Sequence, residues 1–155
     1  MQLDGESGQA LNNYGVFLCK AGEVEEGVDH LVRAVRDPFY ATPAAALTNA
    51  GVCWEGDGDV EQAELFYRQS LEVDPAFGDA LFLMARLLLA KGDAFRARAF
   101  LQRYESAAAP LPESLELGIE IERALDNQEG IQQYEDRLKR LFPDAGRRPS
   151  SQNSE

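Results

Sequence analysis

The 155-residue chain carries a formal net charge of −12 with 45% hydrophobic residues, enough apolar content for one domain with a core. Its longest apolar run, residues 80–90, is interrupted by Arg86 and is too short to span a bilayer. Residues 1–77 hold 14 acids and 4 bases (net −10) and residues 78–155 hold 13 and 11 (net −2), so the acidic front half disfavours nucleic acid and anionic lipid.

Residues 1–8 are polar and read as a flexible end, with no basic stretch followed by an apolar one that would mark a signal peptide. A first helix is expected over 9–21, with Leu11, Tyr14, Phe17 and Leu18 apolar, and a second over 24–35, with Val28, Leu31, Val32 and Val35 inward. The connector RDPFYATP follows; Phe39 and Tyr40 in it are expected either to plug the gap between units or to offer an aromatic contact. The stretch 44–75 then repeats the two-helix pattern around the turn residues GDGD. Asp59 opens its second helix with Gln62 three residues later. Asp74-Pro75 is read as the start of a strongly apolar helix over 75–91. A helix over 94–107 opens at Asp93 and carries Arg96, Arg98 and Arg103 on its polar face. The last pair is expected over 112–125 and 128–142, the final helix being polar except at Ile131, Tyr134, Leu138, Leu141 and Phe142. The tail 143–155 is low in hydrophobics and reads as disordered.

These pairs are copies of one unit. Gly15, Gly51, Ala85 and Gly118 recur as a small residue on each first helix. Gly27, Ala63, Ala97 and Gly130 recur on each second helix, twelve residues later. Gly22, Gly58 and Gly92 mark the turns, and Leu125-Asp126-Asn127 stands in the fourth, where Asn can take the left-handed backbone. In the second copy Leu47, Ala50, Gly51, Trp54, Ala63, Tyr67 and Pro75 resemble the slots of a tetratricopeptide (TPR) repeat, in which large and small residues alternate so that two antiparallel helices interlock. The expected fold is therefore all-α: a TPR superhelix of four helix-turn-helix repeats, at about 8–41, 44–77, 78–110 and 111–142, within a domain over 9–142. The first helix has apolar side chains on more than one face and nothing upstream to cover them. It is expected to pack on another molecule, with self-association as one outcome, or to belong to the back part of a longer protein.

Residues that would carry chemistry are few. His30 has no cysteine or acid at ligand spacing and is read as solvated, as are the acid pairs Glu25-Glu26 and Glu120/Glu122. No phosphate-binding glycine loop or nucleophile elbow is present, so the chain is read as a binding protein rather than an enzyme, without cofactor or metal. Cys19 and Cys53 are read as small apolar packing, with a bridge as the alternative because adjacent first helices pack side by side.

The TPR resemblance implies that the first helix of each repeat lines an inner curve. That surface would contain Asn12, Val16, Cys19, Thr48, Val52, Glu55, Asp79, Phe82, Arg86, Leu89, Ile119 and Glu122, with Asn13 and Asn49 beside them. Asn12, Asn13, Val16, Thr48, Asn49, Val52, Phe82, Arg86 and Leu89 are the expected partner-binding residues, apolar and amide groups suited to a peptide segment. Arg86 would pair with a partner acid or balance Glu55 or Glu122 across the groove. The Lys and Arg clamp that TPR co-chaperones use for a terminal carboxylate is absent, with Asn12, Asp79 and Leu83 at such slots.

The strings NNYGVFLC (12–19), DPFYATPAAALTNAGVC (37–53) and LQRYE (101–105) resemble the type IV pilus biogenesis/stability proteins of the PilF/PilW type. That resemblance implies an all-helical TPR lipoprotein on the periplasmic side of the outer membrane, assisting assembly or localisation of the pilus secretin as a pilotin. A cytoplasmic TPR adaptor or regulator binding a peptide of another partner is the alternative.

Overall fold

The computed structural model describes residues 7–145. Among them are eight helices and no strand: α1 (Gly8–Lys20), α2 (Val24–Arg36), α3 (Pro43–Gly56), α4 (Val60–Val73), α5 (Gly78–Ala90), α6 (Ala94–Ala107), α7 (Pro112–Ala124) and α8 (Gln128–Leu141). They pair as four hairpins, α1/α2 to α7/α8, and the second helix of each hairpin packs on the first helix of the next.

Local chemistry sets the helix starts. Ser7 accepts a hydrogen bond from the Ala10 amide, Asp59 from Gln62, Asp93 from Arg96 and Asn127 from Gly130, each satisfying an amide that the first turn leaves open. Within the hairpins the chain reverses through a left-handed residue: Gly22, Gly58 and Gly92 have φ of 88°, 87° and 86°. In the fourth hairpin that residue is Asp126, at φ 54°. Asn127, the residue expected to take this backbone, instead caps α8.

The hairpins close on small residues. Gly15 faces Leu31 and the backbone of Gly27, Gly51 faces the ring of Tyr67, and Gly118 faces the ring of Tyr134. Two buried clusters result. The first joins Leu11, Val24, Val28, Leu31 and Ala34 to Ala46, Ala50 and Cys53; the second runs from Ala63 and Tyr67 through Met84, Leu88 and Leu101 to Ile121. Trp54 packs against both, so the core is continuous through α3.

The structure departs from the sequence reading at several places. The third hairpin begins at Gly78 rather than at Pro75. Asp74 accepts from the Ala76 amide and holds a turn that ends at Phe77. The connector aromatics divide: Tyr40 is half-buried in the first cluster and covers Gly8, whereas Phe39 is 87% exposed. Gly8, read as part of a flexible end, opens α1 and donates to the Asp37 carboxylate. The rest of that end, residues 1–6, and the tail from 146 onward lie outside the described residues.

The arginines of α6 do more than wet a polar face. Arg98 makes two bonds, of 2.8 and 2.6 Å, to Glu122 of α7, which is buried rather than solvated. Arg103 donates to the Pro75 carbonyl. Glu64 of α4, also buried, takes Lys91 at 2.7 Å, Arg68 at 2.8 Å and Arg96 at 3.6 Å. Repeats two, three and four are thus tied pairwise by one buried carboxylate at each joint.

Candidate functional site

The first helices of the four hairpins lie side by side, α1 on α3, α3 on α5 and α5 on α7. Two side-chain links join α1 to α3. The Asn49 Nδ2 donates to Asn12 Oδ1 at 3.0 Å, and Cys19 is bonded to Cys53 in a disulfide with Cα atoms 5.5 Å apart. Asn12 and Cys19 lie two turns apart on one face of α1, and Asn49 and Cys53 lie one turn apart on one face of α3. The cysteines therefore do not serve as plain apolar packing. Their slots differ by two positions, yet the two sulfurs meet across α1 and α3.

Beside this link is a cleft of about 310 Å³ lined by Val16, Cys19, Lys20, Gly22, Val24, Asn49, Val52, Cys53, Gly56 and Asp57. It is mainly apolar. Val16 is half-buried, and Val52 is 47% exposed at its mouth. Of the expected binding residues, Val16, Asn49 and Val52 line this cleft, and Asn12 adjoins it through Asn49. Asn13 is exposed and accepts from Gln9 at 2.9 Å.

Thr48 does not belong to the surface. It is buried against α4, its hydroxyl 2.9 Å from the Ala44 carbonyl and 2.8 Å from the Ser70 hydroxyl. Further along, Phe82 and Leu89 are half-buried on α5 and pack against the second cluster. The Phe82 ring lies 6.0 Å from that of Tyr104, and the Arg86 guanidinium carbon lies 6.0 Å from the centroid of the Phe82 ring.

Arg86 has an internal partner, Glu55 at 3.7 Å, whose carboxylate also accepts from the Tyr67 hydroxyl. Burial, and then the Glu55 carboxylate, raises the Tyr67 hydroxyl well above its ordinary pKa, so it remains a donor at neutral pH. Glu122, the other acid expected across the groove, is turned to Arg98 and Asn127 and is held below the usual carboxylate range by Arg98. His30 is also partnered: its Nδ1 lies 2.8 Å from the Glu26 carbonyl and its ring meets Tyr14 edge-on at 4.9 Å.

Sequence reasoning missed Lys20, Gly56 and Asp57 at the cleft, whereas the disulfide beneath it is the alternative reading of the two cysteines. The cysteine separation of 34 falls two short of the 36 residues between Gly15 of α1 and Gly51 of α3, so repeat spacing does not by itself bring the thiols together. Among the described residues no group of three His, Cys, Asp or Glu side chains could hold a metal ion, and no helix is long and apolar enough to cross a membrane.

The tetratricopeptide repeat family matches residues 56–114. The crystal structure of PilW, a widely conserved type IV pilus biogenesis factor, superposes with a TM-score of 0.77 at 32% identity, over 89% of this chain and 64% of that one. The fold is a tetratricopeptide-repeat array. The TPR chain is also related, at modest identity, to the type IV pilus assembly protein PilF of Pseudomonas aeruginosa: 26% over 140 residues, 90% of this chain and 56% of that protein. The solved PilF structure gives a TM-score of 0.75 over 90% of this chain and 63% of that one. The TPR chain thus spans less than two-thirds of the length of these relatives. A TPR domain of RPAP3, solved with an HSP90 peptide, shares the fold at 16% identity and a TM-score of 0.67.

Proposed function

We propose that the chain is a protein-binding scaffold of type IV pilus biogenesis, pilotin-like, whose inner face holds a segment of the outer-membrane secretin. The observation that carries this reading is the open, apolar cleft between α1 and α3, bordered by the amide of Asn49. Such a lining takes an apolar partner side chain while the amide bonds the partner backbone. Similarity to PilW and PilF along nearly the whole chain supports the pilus context.

The same site supports a reading of the compartment. A disulfide between two helices persists where the surroundings are oxidising, as in the periplasm, and is rare in the bacterial cytosol. This favours the periplasmic side of the outer membrane over a cytoplasmic adaptor. The test is recovery of the secretin from solubilised outer membranes by the parent chain and by Val52→Asp, Phe82→Ala and Arg86→Glu. Reduced recovery by the first two supports the inner face as the seat; equal recovery by all four chains removes it.

A further inference from the structure

The cleft between α1 and α3 has a charged rim that specifies more than an apolar occupant. Its walls are Val16 of α1 and Val52 of α3, and Val24 and the disulfide complete the apolar lining. Lys20 borders it from α1 and Asp57 from the end of α3, and both are exposed. Neither side chain makes a hydrogen bond or ion pair among the described residues. All of this lining comes from described residues. Helices stacked ahead of α1 in the pattern of this array would meet its other flank, as α1 and α5 meet the two flanks of α3.

The two helix ends at this rim are charged in opposite senses. A helix C-terminus carries a partial negative charge, which a base in the last turn offsets. α1 has Lys20 there. α3 has no base in its last turn, and its C-cap is itself an acid, Asp57. The nearby Glu55 is answered from within by Arg86 and the Tyr67 hydroxyl. Asp57 is answered by nothing, so its carboxylate and the helix dipole add to one negative site beside an apolar opening.

The register of the array shows that this is not a general property of the repeat. The slot six after the small residue, Asp57 here, is Lys91 in the third hairpin, where the lysine is paired to Glu61 and Glu64. The slot one after the small residue, Val16 and Val52 at this joint, is Arg86 in the third hairpin, paired to Glu55. The α3/α5 joint thus closes its own charges. The α1/α3 joint leaves an apolar opening with an unpaired acid on one side and an unpaired lysine on the other.

We propose that the segment held in this cleft carries an apolar side chain with a lysine or arginine beside it. The apolar group enters between Val16 and Val52, and the cation rests on Asp57 at the end of α3. This rests on the inner-face reading above and adds the chemistry of the occupant. Lys20 fixes the direction, because it repels the cation from the α1 side. A segment with an acid on the α3 side would meet Asp57 and the helix dipole and be refused. The net charge of −10 on residues 1–77 also favours approach of a basic segment.

The probe is a library of random dodecapeptides displayed on phage, selected on the full chain with its disulfide intact and on three variants. The parent should enrich an apolar residue with lysine or arginine within two positions of it. Asp57→Lys should lose that preference and favour glutamate or aspartate there. Glu116→Lys, the same change of charge at an exposed site on α7, should keep it. Val52→Asp should enrich neither class. A synthetic copy of the leading peptide, followed by fluorescence anisotropy, should bind Asp57→Lys about tenfold or more weakly than the parent at low salt, and the gap should shrink at high salt. The Asp57 side chain has no partner to lose, so the circular dichroism melt should stay in place. Peptides that depend on Val52 but carry no base, or a basic preference that survives Asp57→Lys, overturn the proposal and leave the cleft as the binding surface. The same peptides from the parent and Val52→Asp, or no enrichment by the parent, overturn both readings.

Discussion

Gly51 of α3 lies directly against the ring of Tyr67 in α4, and a single added methyl at Gly51 would overlap that ring. Tyr67 is fully buried and its hydroxyl is bonded to Glu55, so the ring has nowhere to move. Two effects therefore oppose each other in Gly51→Ala. Helix propensity favours alanine by about 1 kcal/mol, while overpacking of a fixed neighbour costs about 1–3 kcal/mol. Overpacking should win, and Gly51→Leu should be worse. Gly56, near the end of the same helix, has nothing within 4 Å of an added methyl. Gly56→Ala should be neutral or stabilise by a few tenths of a kcal/mol, about 0.5 at most. Denaturant melts of the three variants check the register; a stabilised Gly51→Ala would contradict it.

The Cys19–Cys53 disulfide closes a loop between residues 34 apart in sequence. In the chain-entropy treatment that closure stabilises the fold by about 3–4 kcal/mol. Cys53→Ser should lower stability by up to that amount, and reductant should lower the parent by the same measure while leaving the variant unmoved. A variant melt that still shifts with reductant would place the effect elsewhere. The loss should fall mainly on the first two repeats, because the second cluster draws on neither cysteine.

Glu64 gives the joint between repeats two and three a pH dependence. Lys91, and then Arg68, hold its carboxyl down at about 2, against an ordinary 4.5. A carboxyl whose pKa is depressed on folding adds stability above its unfolded value and loses that stability as pH falls through the folded one. The window is therefore about pH 4.5 down to about 2. Full conversion of the shift gives about 3 kcal/mol, and the solvent around Arg68 and Lys91 reduces it to about 1–2 kcal/mol. Glu64→Gln should flatten the stability curve between these limits. An unchanged slope in urea melts at pH 5, 4, 3 and 2.5 would refute the assignment.

The architecture was legible because a repeat displays its own register. Four small residues at near-constant spacing fix which faces meet, and Gly51 against Tyr67 is the contact that this spacing anticipates. What escaped were features that depend on how neighbouring helices are offset. Thr48 sits at an inner-curve slot by count, yet it turns inward to Ser70. Cys19 and Cys53 sit at unlike slots, yet they meet across α1 and α3. Glu122 reads as a solvated acid and Glu64 draws no reading of its own, since a sequence does not show which cation a neighbouring helix will bring over a carboxylate. The turn at Asp126 shows a smaller failure of the same kind. Its left-handed residue comes eight positions after Gly118, whereas the earlier turns place theirs seven after the small residue.

Arg86 separates structural from binding roles at the inner face. Its ion pair with Glu55 spans 3.7 Å with the arginine side chain 52% exposed, so its loss should change stability by less than about 1 kcal/mol. Arg86→Gln removes that pair without repulsion; Arg86→Glu sets a like charge beside Glu55. If Arg86 serves only Glu55, both variants should retain partner binding, and Glu55→Gln with Arg86→Gln should restore whatever stability either single change loses. If Arg86 also meets an acid of the bound segment, Arg86→Gln should weaken binding and Arg86→Glu should weaken it further, by about tenfold or more. The observed pair favours the first outcome. Phe82→Ala removes the ring beneath the guanidinium and should weaken binding in either case, since its contribution is apolar surface. Titrations of the parent and these variants with an immobilised secretin fragment, at low and high salt, resolve the two: only a partner-facing Arg86 gives a salt-dependent difference between parent and Arg86→Gln.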